Sequence, residues 1–163
     1  MFVTGVQTCA LPILANTTGV YPVYENQFKI DKTGGDGSTE SNLVTIADME
    51  SFSVSIDGNI EEWKPFDQQG WTRRLLTGKS ITISISGKRN VGDAGNDYIE
   101  SLALKTGAAA TTTLVWNFPS GAKLVIKGVV SVTEWGGGDS TAVAPLAVDF
   151  ASDGKPEFTE AAA

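Results

Sequence analysis

The residue types that most often carry chemistry are scarce in this chain. It has no histidine, and its one cysteine is Cys9. The commonest metal ligand, the usual general base and the thiol nucleophile are therefore missing from everything after residue 9. Carboxylates, lysines and hydroxyls remain. Thr77-Gly78-Lys79-Ser80 imitates the end of a phosphate-binding P-loop, but that motif needs glycine five positions before Gly78, where this chain has Arg73. It also needs a helix after the serine, and ITISIS reads as a strand, so the amide cradle for phosphate is absent. Glu61-Glu62 is a poor acid/base couple, because adjacent residues on a strand point to opposite faces. Asp36, Asp93, Asp97 and Asp139 lie in glycine-rich turns without the spacing of a calcium loop, and read as turn chemistry. No catalytic, cofactor or metal residue is assigned, and the expectation is a protein that is not an enzyme.

Charge and aromatic residues are more informative. The 163 residues carry 12 bases against 19 acids, a formal net charge of −7, which is the wrong sign for gripping nucleic acid through its phosphates. The bases are segregated. Residues 68–92 hold Arg73, Arg74, Lys79, Lys88 and Arg89 and no acid. Just before and within this run stand Trp63, Phe66 and Trp71, with Leu75 and Leu76, in a segment, 58–79, expected as a long loop between two strands. Trp and Arg are enriched at interface hot spots. The eight residues Trp63, Phe66, Trp71, Arg73, Arg74, Lys79, Lys88 and Arg89 are thus candidates for contact with an identical neighbour, basic edge to acidic surface, head to tail. Two other readings compete: a segment folded over the domain's own core, or a carbohydrate-binding or adhesive β-sandwich using Trp63 and Trp71 as a sugar platform.

The elements that must position these residues are mostly strands. Residues 51–57 and 80–86 alternate with period two, Phe52, Val54 and Ile56 against serines and Ile81, Ile83 and Ile85 against Thr82 and Ser84. Residues 111–118 and 122–134 flank Pro119-Ser120-Gly121 and predict a long antiparallel hairpin whose inward row is Leu124, Ile126, Gly128, Val130 and Val132. Further strands are expected at 20–30, with Pro22 at its edge or start, at 42–46 and at 144–151. Residues 94–105 predict the one helix, with Asp93 and Asp97 at its N-terminal end, Lys105 at its C-terminal end and Gly107 as the C′ residue. The glycine-rich stretch 32–41 reads as a mobile loop, and both it and 58–79 are expected to order on assembly. The fold class is mainly β: a single-domain sandwich or flattened barrel of seven or eight strands with one flanking helix. No repeat and no apolar run long enough to span a membrane as a helix is present.

Residues 3–13 resemble the translation of a sequencing-library adapter, so residues 1–13 are set aside as an artefact and the domain is expected to occupy 14–163. Asn16-Thr17-Thr18 fits a glycosylation acceptor, a tripeptide frequent by chance.

Several ordered motifs carry a family resemblance. EEW at 61–63, GWTRRLLTGK at 70–79, ISISGKRNVGD at 83–93 and GNDY at 95–98 resemble the major tail (tail tube) protein of long-tailed bacteriophages. FPSGAK at 118–123, GGGDST at 136–141, VAPL at 143–146 and SDGKP at 152–156 extend the likeness over residues 19–159. The resemblance implies a tail-tube-type β-sandwich or barrel that assembles six to a ring and stacks into the conduit for the genome. It implies a loop, here 58–79, that reaches toward the adjoining ring. It implies tape-measure, tail-terminator and baseplate proteins as partners, a place in the virion tail after synthesis in the host cytoplasm, and DNA passing through the lumen unbound. An acid surplus lining the bore would repel phosphate.

Overall fold

The structure, a computed structural model, describes residues 19–161; the adapter-like segment, Cys9 and Asn16 lie outside the described residues. Eight antiparallel strands, β1 (Gln27–Asp31), β2 (Leu43–Thr45), β3 (Met49–Trp63), β4 (Arg73–Lys88), β5 (Thr111–Asn117), β6 (Lys123–Trp135), β7 (Pro145–Ser152) and β8 (Glu157–Thr159), form one sheet. Their order is β2-β1-β5-β6-β7-β4-β3, and β8 pairs with the first residues of β6. The helix α1 (Ala94–Ser101) follows β4. The expected fold class, mainly β with one helix, is the one observed.

The sheet curls onto itself. Ile30 on β1 and Ile83 and Ile85 on β4 lie far apart in the strand order, yet all three enter one core with Leu114, Ile126, Val130, Val148 and Phe150. Ile99 and Leu102 close it from the helix side. Full burial of each such side chain contributes about 1.5–3 kcal/mol. The inward row read from β6 holds: Leu124, Ile126, Gly128 and Val130 are buried and Val132 is partly so. Gly128 belongs in that row for a steric reason. A β-carbon there would lie 2.0 Å from the Ala151 carbonyl oxygen of the neighbouring strand.

Several local expectations change. Residues 20–30 do not form one strand: Pro22 opens a single 3-10 turn, Val23–Glu25, and pairing begins only at Gln27. The helix ends at Ser101, because the chain tightens into short-range bonds, Leu102 N to Ile99 O and Ala103 N to Glu100 O. Lys105 thus lies beyond the helix, and Gly107 opens the 3-10 turn Gly107–Ala110 instead of capping it. The N-terminal end is as read, with the Asp93 side chain accepting from Asn96 N. β8 had no period to announce it; its three residues became a strand because Lys123–Val125 of β6 offered an open edge.

The 32–41 loop is tied down at its root. The buried Asp31 carboxylate accepts from the Thr33 amide, the Thr33 hydroxyl and the Gly37 amide. Thr113 Oγ1 donates to the Gly35 carbonyl and Thr112 Oγ1 to the Asp31 carbonyl. Burial pushes the Asp31 carboxyl upward, but the hydrogen bonds from Thr33, Gly37 and Gly35 outweigh it and hold the group below the usual aspartate value of 3.8.

Candidate functional site: an apolar hairpin arm

The segment 58–79, expected as a loop, is for the most part paired strand. β3 and β4 stay paired as far out as Trp63 opposite Arg73, which leaves only residues 64–72 to connect them. The reason is visible in the pairing: Ile60 meets Leu76 and Glu62 meets Arg74, so apolar and charged neighbours across the strands support a ladder that no short-range period shows. The connection holds a 3-10 turn, Phe66–Gln68, and reverses through Gln69 and Gly70, both at positive φ. The result is a hairpin arm extending from the curled sheet.

Directly opposed residues share a face, so the arm has two. On one face the pairs Phe52/Ile85, Val54/Ile83 and Ile56/Ile81 continue the core row. Exposure along β3 rises from 37% at Val54 to 62% at Ile56. Beyond them a β-bulge places two residues of β4, Thr77 and Gly78, against Asn59. With an unshifted register Thr77 would stand opposite Ile60; with the bulge, Leu76 does, and Leu76 lies over Gly58. The bulge is fastened by Thr77 Oγ1, which accepts from Asn59 Nδ2 at 2.8 Å and donates to Asn59 O. This face therefore runs from the core onto the arm through Gly58/Lys79 to the exposed apolar pair Ile60 and Leu76, and on to Glu62/Arg74.

The opposite face is of another kind. Ser55, Thr82, Ala151 and Val129 make one transverse row over β3, β4, β7 and β6; Ser53, Ser84, Asp149 and Ser131 the next; Ser51, Ser86, Ala147 and Glu134 the third. Asp57 and Ser80 stand one step further out. These three rows hold small residues and acids, without a base or an aromatic ring. The sequence signal for this face is the serines at alternate positions of 51–55 and 80–86.

The eight candidate contact residues fall in separate places. Trp63, Phe66, Trp71, Arg73 and Arg74 gather at the arm's outer end, with Phe66 and Trp71 largely exposed. The Arg73 guanidinium lies over the Trp63 ring, 5.8 Å from its centroid, and Arg74 pairs with Glu62. Lys79 is opposite Gly58 at the arm's base. Lys88 lies at the far end of β4, about 50 Å of extended chain from Arg73, where it faces Glu50 at 3.8 Å. Arg89 is turned inward: its side chain is 12% exposed, pairs with Asp97 at 2.7 Å and with Glu100, and donates to Asn96 Oδ1 and Asn90 O. The basic run thus does not make one basic edge. It divides into an exposed pair at the arm tip, two lysines far apart along β4, and a largely buried arginine that fastens α1 to the end of β4.

Among the described residues, no group of three or more His, Cys, Asp or Glu side chains could hold a metal ion, and no helix is long and apolar enough to cross a membrane.

No family model matches the chain, and no curated protein matches it significantly. Solved structures do resemble it. A chain from the tail of an empty gene transfer agent particle, determined by helical refinement with C6 symmetry, is 21% identical with a TM-score of 0.64, over 86% of this chain and 99% of that one. A chain of the native gene transfer agent virion is 19% identical with a TM-score of 0.61, again over 86% and 99%. A chain of the sheath–tube complex of an extracellular contractile injection system in its extended state is 13% identical with a TM-score of 0.58, over 86% of this chain and 92% of that one. What these likenesses share with this chain is its fold, over 86% of its length.

Proposed function

We propose that this chain is a structural subunit of a phage-type tail tube, assembling into stacked hexameric rings that form the conduit for genome passage. The single observation that carries this reading is the arm, a long hairpin that leaves the core and holds the apolar residues Ile60, Leu75, Leu76, Phe66 and Trp71 uncovered. A lone soluble domain gains nothing from such a surface, whereas a neighbouring copy would cover it. The fold shared with chains of tail and sheath–tube particles supports the same reading. The three rows of small residues with Asp149 and Glu134, and Asp57 one step beyond them, form the wall of the bore, where these acids repel phosphate so that DNA slides through without being held. In the virion tail, after synthesis in the host cytoplasm, the tube meets a tape-measure protein inside it and terminator and baseplate proteins at its ends. The sugar-platform alternative has less support, since the Arg73 guanidinium already lies over the ring of Trp63.

Electron microscopy of the concentrated protein tests the proposal. Annular or tubular particles with a central hole are expected. Monomers at every concentration and salt condition would refute it.

A further inference from the structure

We propose that Asp153-Gly154, in the turn between β7 and β8, is a site of spontaneous isoaspartate formation, and that the change releases β8 from the edge of β6; this stands independently of the tube reading above. The reaction favours an aspartate followed by glycine, which has no side chain to obstruct its amide. That dipeptide occurs three times in the sequence, at 36–37, 57–58 and 153–154. The Gly154 amide nitrogen bonds to Asp153 Cγ, and its hydrogen leaves with the carboxyl hydroxyl as water, which closes a five-membered succinimide. Water then reopens the ring. Addition at the side-chain carbonyl restores aspartate. Addition at the main-chain carbonyl leaves the chain running through the side-chain carboxyl, longer by one methylene, with a free α-carboxylate. Water is the only co-reactant, and nothing is oxidised or reduced.

The fold protects two of the three sites. At Asp36-Gly37 both reacting groups are committed: Asp36 Oδ1 accepts from the Ser38 amide at 2.9 Å, and the Gly37 amide donates to Asp31 Oδ2 at 3.1 Å. A β-carbon on Gly37 would lie 2.9 Å from the Thr113 methyl, so this peptide is packed as well as bonded. Asp57-Gly58 lies inside the β3–β4 ladder, opposite Ser80 and Lys79, with the Leu76 side chain over Gly58. Ring closure there must turn the aspartate away from its extended conformation and so break the ladder. Asp153-Gly154 is open. Both residues are exposed, and among the described residues neither the Asp153 carboxylate nor the Gly154 amide has a hydrogen-bond or ion-pair partner. Nothing lies within 4 Å of a β-carbon placed on Gly154, whose φ of +94° glycine adopts without strain.

The surroundings set the consequence. The Asp153 amide donates to the Lys127 carbonyl and Ser152 Oγ accepts from the Ile81 amide, so the chain is fastened as far as the aspartate. β8 begins after three more residues. Three pairings with β6 hold it, Lys123/Thr159, Leu124/Phe158 and Val125/Glu157, together with the edge contact of Phe158 on Phe118 at 6.0 Å, and all three of its residues are exposed. An extra methylene between a fixed β7 and so lightly held a strand displaces its register, and the edge of β6 that β8 covers is opened.

Ageing the full chain at neutral pH and physiological temperature tests this, with isoaspartate located by peptide mapping and counted by isoaspartyl methyltransferase labelling from S-adenosylmethionine. In the folded protein isoaspartate is expected to accumulate at residue 153 severalfold faster than at 36 or 57. In the chain unfolded by urea the three rates should come together, since only the fold sets them apart. Asp153→Glu, whose ring would be one atom larger, should remove the signal at 153. Hydrogen exchange is the second readout: the amides of β8 and of residues 123–125 should exchange faster after ageing, and should not do so in Asp153→Glu protein aged alongside. Equal rates at the three sites in the folded protein, or first accumulation at 36 or 57, would overturn the site assignment. Isoaspartate at 153 with unchanged exchange in β8 would overturn the release of that strand.

Discussion

Phe28 on β1 and Phe52 on β3 meet edge to face with ring centroids 4.8 Å apart, although four strands separate β1 from β3 in the sheet. Trp116 touches both, at 5.4 Å from each, and stacks on Phe118. This aromatic contact closes the curled sheet at the one seam where no ladder of hydrogen bonds joins the strands. Phe52→Ala should therefore cost about 2–4 kcal/mol, read as a lower urea midpoint, and should loosen β1 more than β4 in hydrogen exchange. A loss under about 0.5 kcal/mol, the size of an ordinary surface change, would show that the seam is held by other contacts.

The bulge at Thr77 makes a separable prediction. Deleting Thr77 leaves Gly78 opposite Asn59 and Leu76 opposite Ile60, so the register and both faces of the arm survive. What changes is the local bend and twist, and with them the direction in which the tip points. The deletion is expected to leave the monomer's thermal unfolding nearly unchanged and to abolish or shorten tubes in electron micrographs. Tubes of ordinary length would mean that the arm's aim does not matter.

How much of this was legible in the sequence depended on the range of the cause. The period-two rows of residues 80–86 and 122–134 named their own buried side chains, since alternation on a half-buried strand is a local property. The N-terminal end of α1 was legible for the same reason: Asp93 caps a helix within three residues of itself. The arm was not. Residues 58–63 and 73–79 look irregular one at a time and become a ladder only when Ile60 finds Leu76 and Glu62 finds Arg74. Arg89 was misplaced as an outward base because its acids, Asp97 and Glu100, come later in the chain, on a helix that folds back over it. The arm-tip rings Trp63, Phe66 and Trp71 were found by composition, which needs no pairing partner to be seen.

Arg89 should act on stability and Lys88 should not. Arg89→Ala takes the shared cation from Asp97 and Glu100, leaving Asn96 Oδ1 with the Asn90 amide and Glu100 with Trp135 Nε1, and removes the link between α1 and the end of β4. The expected loss is about 3 kcal/mol, with early hydrogen exchange of the α1 amides. Lys88→Ala breaks only an exposed 3.8 Å pair with Glu50, and should fall within about 0.5 kcal/mol of the parent. Equal losses in the two variants would contradict the inward assignment of Arg89.

The small-polar face predicts how assembled tubes treat DNA. Asp149→Lys together with Glu134→Lys turns two rows of that face basic. Tubes of the parent should leave DNA free at low salt, whereas tubes of the double variant should retain it, with an affinity that falls steeply as salt rises. The same substitutions in unassembled subunits should have little effect, because no enclosed wall exists to concentrate the field. Retention by the parent tubes themselves would remove this face from the bore.

Asp31 sets an acid limit on the fold. Its carboxylate holds the 32–41 loop through Thr33 and Gly37, and these bonds keep its folded-state value below the usual 3.8 in spite of burial. A group depressed in this way contributes stability above its unfolded value, and the contribution is lost as pH falls from near 3.8 through the lower folded value. Asp31→Asn replaces one accepting oxygen with a donor facing amide donors, so at about pH 7 it should cost about 1–3 kcal/mol. The gap between parent and variant should close as pH drops below about 3.8, because protonation weakens the same bonds in the parent. Urea midpoints measured for both proteins from about pH 7 down to about pH 3 check the sign: a gap that stays constant over that range would mean that the carboxylate's charge contributes nothing to holding the loop.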